Sequence, residues 1–164
     1  MKAFFLLLLL FFFAVNLYSQ TENDKRNTIS VYLAPGLWAA PGAFVPTLNP
    51  GVNYSRNLGK GWGFDSGVEM LLAIGGHLEM IFVPVQLRRN LGQRSYFHFG
   101  TSLDIVPGLQ FTSPDAGLGW RLGVGFERER RDGLILTINP YVRWNRTVTL
   151  ENLLGVKLGV GHRF

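Results

Sequence analysis

The chain has 164 residues, about the length of one domain, and no stretch has the composition of a linker between two domains. It contains no cysteine, which excludes disulfides, thiolate metal sites, thiol nucleophiles and a lipid-modified N-terminal cysteine. Its net charge is +5, or +4 once Lys2 is removed with a leader, and the basic residues are interleaved with glycine and apolar residues rather than clustered. This pattern excludes a nucleic-acid surface.

The first residues have the three parts of a secretory signal. Met1 and Lys2 precede an apolar run over residues 3–15, and polar residues follow. The run is too short for a membrane helix, which needs about 20 apolar residues. We therefore expect a signal peptide over residues 1–19, cleaved after Ser19, and a short periplasmic segment over residues 20–27. An uncleaved N-terminal anchor is the alternative.

Residues 28–164 are predicted to form one β-barrel domain, because they contain eight segments in which apolar and polar residues alternate. Most have about the 9 to 11 residues that a tilted membrane strand needs. In chain order, the predicted strands cover residues 28–35, 48–58, 62–72, 80–89, 96–106, 118–127, 134–144 and 154–164.

The two faces of each predicted strand differ in chemistry. In the last strand, Leu154, Val156 and Leu158 share one face, whereas Gly155 and Lys157 share the other. Period-2 alternation places the two rows on opposite sides of a sheet. One face is therefore expected to meet hydrocarbon, and the other a narrow, wet interior.

The connections between the predicted strands fall into two classes. Short turns are expected at residues 57–61, 90–94 and 130–133, where Asn, Asp and Gly can supply positive φ angles. The other four connections cover residues 37–47, 73–78, 107–116 and 145–152. With an even number of strands both termini lie on one side, so we expect periplasmic termini and turns, and external loops.

A soluble lipocalin-like barrel would alternate in the same way, with its apolar face inward. Glycine weakens a strand unless space is tight, so a glycine-rich polar face favours a narrow interior, with room made for Arg88, Arg121 and Lys157. That face carries Gly63, Gly67, Gly100, Gly119, Gly123, Gly125, Gly155, Gly159 and Gly161. Aromatic residues near strand ends also match the interfacial girdles of membrane barrels. They are Trp62, Phe64, Phe97, Trp144 and Phe164.

Three segments resemble the small outer-membrane β-barrel family that is common in Bacteroidota. Residues 78–89, LEMIFVPVQLRR, are similar to that family's fourth strand, and residues 119–126 to its glycine-alternating strand. Residues 159–164 resemble its terminal strand, whose final aromatic belongs to the signal read by the barrel-insertion machinery. The resemblance implies a location and an architecture, but no ligand.

Charged residues on the inner face are expected to share the barrel interior. An unpaired buried charge is very costly, so we interpret them as a mutually neutralising network, with a gated ion path as the alternative. The residues are Asp65, Glu69, Asp104, Glu127, Arg88, Arg121, Arg143, Lys157 and Arg163.

A second group of basic residues is expected to form a rim near the short turns. It comprises Arg56, Lys60, Arg88, Arg89, Arg94, Arg128, Arg130 and Arg131. Anionic head groups or an acidic partner could bind it, although solvated charges that limit aggregation are the favoured interpretation. Apolar residues of two external loops are expected to pack over the barrel mouth rather than to form a contact surface. These are Leu37, Trp38, Phe44, Val45, Leu109 and Phe111.

Histidines are the candidates for catalysis. His77 lies beside Glu79, and His98 shares a face with Ser102 and Asp104. Residues two apart on one strand face are about 6 to 7 Å apart, which argues against a hydrogen-bonded relay. His162 lies near a strand end. No catalytic, cofactor-binding or metal-ligating residue is therefore assigned.

The sequence thus predicts an all-β, eight-stranded antiparallel up-and-down transmembrane barrel of the outer membrane. We expect a monomer with a structural or loop-mediated interaction role and no enzymatic activity or cofactor. Its expected partners are outer-membrane lipids, lipopolysaccharide and the insertion machinery, the last through the strand ending in Phe164. A narrow gated pore and a lipid A-modifying enzyme are the alternatives.

Overall fold

The computed structural model describes residues 27–40, 43–73, 78–106, 116–145 and 151–164. They form a closed antiparallel barrel of eight strands in which each strand pairs with its neighbours in the chain and β1 pairs with β8. The strands are β1 Asn27–Ala40, β2 Ala43–Gly59, β3 Trp62–Ala73, β4 Leu78–Asn90, β5 Ser95–Ile105, β6 Ala116–Glu129, β7 Leu134–Asn145 and β8 Glu151–Arg163. The predicted number, order and direction of the strands are confirmed. No helix among the described residues is long and apolar enough to cross a membrane.

The two faces of the wall are as the alternation predicts. In β4, Phe82 and Gln86 point inward and are almost completely buried, whereas Leu87 points outward and is exposed. β6 alternates exposed and buried residues from Ala116 to Phe126. The outer face of the described strands is therefore predominantly apolar, and most polar residues lie inside.

The predicted loop over residues 37–47 is wrong. β1 continues to Ala40 and β2 begins at Ala43, and the two strands pair over this whole stretch. The alternation of inner and outer residues continues through this stretch. Trp38 and Val45 face each other across the hairpin, whereas the neighbouring residue Phe44 is exposed. Leu37, Trp38, Phe44 and Val45, which were predicted to lie in a loop, are strand residues of a long hairpin.

The two ends of the barrel differ, and we name them by their connections. The turn end holds residues 60–61, 91–94 and 130–133 together with Asn27 and Phe164, whose backbones pair through two hydrogen bonds of 2.9 and 3.1 Å. Positive φ angles occur there at Gly59, Lys60, Gly61 and Gly133. The opposite end, with the connections at 41–42, 74–77, 107–115 and 146–150, is the loop end.

Several predictions fall on residues outside the described ranges. They include the signal peptide, most of the short segment after it, His77, Leu109 and Phe111. The barrel begins at Asn27, one residue before the predicted boundary.

Several inner-face glycines make room for tyrosine rings. Gly125 lies opposite Tyr96 in the register of β5 and β6, and a Cβ atom at Gly125 would collide with that ring. Gly155 lies opposite Tyr141 in the same way, with the ring 2.8 Å from the position of a Cβ. The prediction that glycines admit basic side chains holds at Gly63, where a Cβ would approach Arg88 Nε to 3.0 Å. The packing of tyrosine rings against glycines was not predicted from the sequence.

Candidate functional site

Glu69 of β3 is the centre of the interior network. Its side chain is fully buried and pairs with Arg121 Nη1 at 2.8 Å and with Lys157 Nζ at 3.4 Å. The hydroxyls of Tyr32 and Tyr141 each donate a hydrogen bond to it at 2.9 Å. One carboxylate therefore links strands β1, β6, β7 and β8 across the lumen.

A second network lies on the β5 and β7 side, nearer the loop end. Asp104 pairs with Arg143 and accepts a hydrogen bond from Ser102 Oγ at 2.8 Å. The Arg143 guanidinium also lies over the Phe82 ring, 3.9 Å from its centroid. These contacts neutralise the charge of the Asp104 carboxylate inside the barrel.

The third network lies at the turn end. Arg88 pairs with Glu127 at 2.7 Å, and Arg163 contacts Glu127 and Glu129. The expectation that the inner charges share the lumen and neutralise one another is confirmed for these groups. A buried ion pair needs such partners, because desolvation of the charges costs several kcal/mol per ion.

Large apolar side chains fill the interior at the loop end, which the sequence analysis did not predict. Leu71, Met80, Phe82 and Leu153 are buried together, and Trp38 packs against them. All of them occupy inner-face positions, where the other strands carry glycine or polar residues. The inward register of these bulky residues was the signal that could have revealed this apolar layer.

A small polar cavity remains between the turn end and the Glu69 network. Its volume is about 30 Å³, and its lining includes Ser30, Ser55, Asp65, Gln86 and Lys157. Asp65 Oδ1 is buried there without a hydrogen-bond partner among the described residues. A polar cavity of this size has room for about two water molecules.

The possible relay around His98 does not form. His98 is buried with Nε2 2.8 Å from Asn139 Oδ1 and Nδ1 2.9 Å from Gln86 Nε2. The amide oxygen can only accept, so Nε2 donates to Asn139 while Nδ1 accepts from Gln86. Ser102 and Asp104 do hydrogen-bond, contrary to the distance argument from strand spacing, because the side chains lean towards each other along the strand.

The basic rim at the turn end is smaller than predicted. Arg56 and Arg88 are buried, each with about 6% of its surface exposed, and Arg88 belongs to the inner network. The remaining members are exposed: Lys60, Arg89, Arg94, Arg128, Arg130 and Arg131. Arg56 lies opposite Phe64 of β3 and Asn27 of β1, next to the point where the register of β2 and β3 shifts.

Aromatic residues lie near both ends of the outer wall. Trp62, Phe126 and Phe164 are exposed towards the turn end, and Trp120 is exposed towards the loop end, where it pairs in register with Trp144. Membrane barrels carry aromatic girdles of this kind at the two interfaces of the bilayer.

No protein-family model matches the chain, and no curated protein matches its sequence, so the resemblance to the Bacteroidota family stays a prediction. Solved structures do match its fold. Neisserial surface protein A is similar with a TM-score of 0.70 and 11% identity, over 84% of this chain and 97% of that one.

Two further barrels align with similar coverage. The N-terminal β-barrel domain of OprF from Pseudomonas aeruginosa has a TM-score of 0.58 and 11% identity, over 85% of this chain and 98% of that one. Ail, the attachment invasion locus protein of Yersinia pestis, has a TM-score of 0.55 and 13% identity over the same shares. The chain thus has the fold of small eight-stranded outer-membrane β-barrels.

Proposed function

We propose that this protein is an integral outer-membrane barrel with a structural or interaction role that is carried by its loop-end connections. The observation that carries the proposal is the combination of an apolar outer wall with a filled interior. Exposed apolar residues on all eight strands suit hydrocarbon, not water. In this proposal the turn end and both termini face the periplasm.

The filled interior favours a scaffold over a channel. Three networks of paired charges and an apolar layer occupy the lumen. The cavity between the networks is about 30 Å³, and a second cavity of about 100 Å³ lies at the mouth of the turn end, beside Arg88 and Arg163. An eight-stranded barrel is just wide enough for side chains to fill it. A pore would require both the ion pairs and the apolar layer to move aside.

The interior also gives little support to catalysis. Among the described residues, the polar groups that could have formed a relay are separated into two hydrogen-bonded sets, His98 with amides and Ser102 with Asp104. Nothing in this arrangement activates a nucleophile, which would need a base in hydrogen-bond contact with it.

The proposed partners are the lipids around the barrel, with lipopolysaccharide in the outer leaflet, and the insertion machinery. For the latter, Phe164 is accessible: the residue is 52% exposed, and its backbone hydrogen-bonds to that of Asn27. We propose that the barrel is a monomer, since β1 and β8 close it without a second chain.

Two experiments test the proposal. Crosslinking in intact cells followed by purification of the barrel should recover defined partners, and replacing residues 107–115 with a short glycine-serine linker should abolish their capture. Planar-bilayer recording of the refolded protein should show no discrete conductance steps. Regular steps at moderate voltage would replace the scaffold proposal with the pore.

A further inference from the structure

The apolar outer rows of β3 and β4 end at the turn end in a tryptophan and an arginine. Trp62 and Arg89 are paired in register, and Arg89 continues the outward row of Val85 and Leu87. Both side chains therefore belong to the outer wall and not to the turns. Their position is where an apolar wall meets the polar boundary of a bilayer.

The Arg89 side chain is held in place by two contacts. Its guanidinium carbon lies 5.0 Å from the centroid of the Trp62 ring, and its Nη1 donates a hydrogen bond to the carbonyl oxygen of Lys60 at 2.7 Å. The group is exposed, and its five N–H donors exceed the single carbonyl that it meets. A planar guanidinium fixed in this way is well suited to bind phosphate oxygens.

The surroundings of this pair are electropositive. Lys60 and Arg94 are exposed in the turns on either side of β3 and β4, whereas Arg128, Arg130 and Arg131 lie on β6 and the β6–β7 turn. Glu129 contacts Arg163, and Asp132 accepts a hydrogen bond from the backbone of Leu134 at 3.2 Å. Glu129 is neutralised by Arg163, and Asp132 lies in the β6–β7 turn, away from β3 and β4, so an anionic ligand at Arg89 would meet little repulsion.

We propose that Trp62 and Arg89 form a binding site for the phosphate of an anionic phospholipid in the leaflet at the turn end. The inference rests on the proposed membrane location and adds a lipid class to it. A lipid is favoured over an acidic protein because both side chains continue lipid-facing rows, so the acyl chains of the ligand would lie along Phe64, Val85 and Leu87. Each basic residue near a membrane surface contributes about 1 kcal/mol to the binding of anionic lipid, or about fivefold.

The test uses brominated lipids, which quench tryptophan fluorescence on contact. A variant with Trp38→Phe, Trp120→Phe and Trp144→Phe keeps Trp62 as its single tryptophan and is placed in phosphatidylcholine vesicles containing a minor fraction of brominated phosphatidylglycerol or brominated phosphatidylcholine. We expect brominated phosphatidylglycerol to quench more strongly at equal content. Adding Arg89→Gln should lower that preference about fivefold. The matched control, Arg131→Gln, removes the same charge from a turn and should lower it less than twofold.

The outcomes separate this inference from the proposed function. Quenching by neither lipid would mean that Trp62 does not face a bilayer, which overturns the membrane proposal itself. Equal quenching by both lipids, or equal losses in the two arginine variants, would leave the membrane proposal intact and overturn the lipid site. Native mass spectrometry of the otherwise unchanged barrel, with and without Arg89→Gln, repeats the comparison without the tryptophan replacements: retention of phosphatidylglycerol over phosphatidylcholine should fall in the variant.

Discussion

Glu69 is the residue on which the interior contacts converge. It is fully buried, pairs with Arg121 and Lys157, and accepts hydrogen bonds from two tyrosines. Removing one partner of a buried ion pair leaves an uncompensated charge, which is far more destabilising than loss of an exposed pair. The carboxylate is therefore expected to decide the stability of the barrel.

Replacing Glu69 with Gln should lower the free energy of unfolding by about 3–5 kcal/mol, since it leaves two buried cations without their counter-ion. The measurement is urea unfolding of the refolded barrel in lipid vesicles. Glu129→Gln is the matched control, because its pair with Arg163 is partly exposed, and it should cost less than about 1 kcal/mol. Equal effects of the two variants would contradict this account.

The close approach of Gly125 to the Tyr96 ring gives a second prediction. Gly125→Ala should destabilise the barrel by about 1–3 kcal/mol, because its Cβ would collide with the Tyr96 ring and overpack the interior. Gly92→Ala is the control: it lies in a turn, where the nearest atom to a Cβ is Ser95 Oγ at 3.5 Å. Thermal unfolding of both variants should show a large shift for the first and little for the second.

Within single strands, the exposed apolar rows are the main observation that favours a membrane location. Leu118, Trp120, Leu122, Val124 and Phe126 form one row along β6, and every member is exposed. A soluble barrel would present such a row to water, whereas a membrane barrel presents it to lipid. The cost of a charge in the row should therefore depend on its depth in the bilayer.

An arginine at Leu122, in the middle of the β6 row, should lower the free energy of unfolding by about 2–4 kcal/mol in a bilayer. The same change at Leu58, an exposed residue beside the turn between β2 and β3, should cost only about 0–1 kcal/mol. Unfolding titrations in vesicles measure both. A neutral result for Leu122→Arg would argue that the row does not meet hydrocarbon.

For the whole molecule, closure by the β1–β8 pairing gives every strand two neighbours and leaves no edge. An even number of strands places Asn27 and Phe164 at one end, and that end also carries those basic residues that are exposed in the described part of the chain. In a membrane, the two ends would meet different compartments. Their orientation is therefore a property that one labelling experiment can test.

The absence of native cysteine allows single-cysteine labelling. With the proposed orientation, a membrane-impermeant maleimide should label Ala43→Cys at the loop end in intact cells. It should label Gln93→Cys, in the turn between β4 and β5, only after the cells are broken. The reverse pattern would place the turn end outside. The unchanged chain, which lacks a thiol, controls for background labelling.

The number of strands, their order and the face on which most residues lie could be predicted from the amino-acid pattern. Those properties follow from period-2 alternation, which is local: Leu87 and Arg88 point to opposite sides whatever the rest of the barrel does. The prediction for residues 37–47 was wrong, because proline and glycine in this stretch indicated a loop. The cross-strand pairing of β1 and β2 continues through it.

The contacts among the inner residues could not be predicted in this way, because they depend on closure of the barrel. Glu69, Arg121 and Lys157 lie on three different strands, and their contact depends on the curvature and register of a closed wall, which no single segment encodes. The apolar layer around Leu71 and Leu153 and the Trp62–Arg89 pair arise in the same way. Alternation specifies a side of the sheet, whereas closure brings together residues that are distant in the chain.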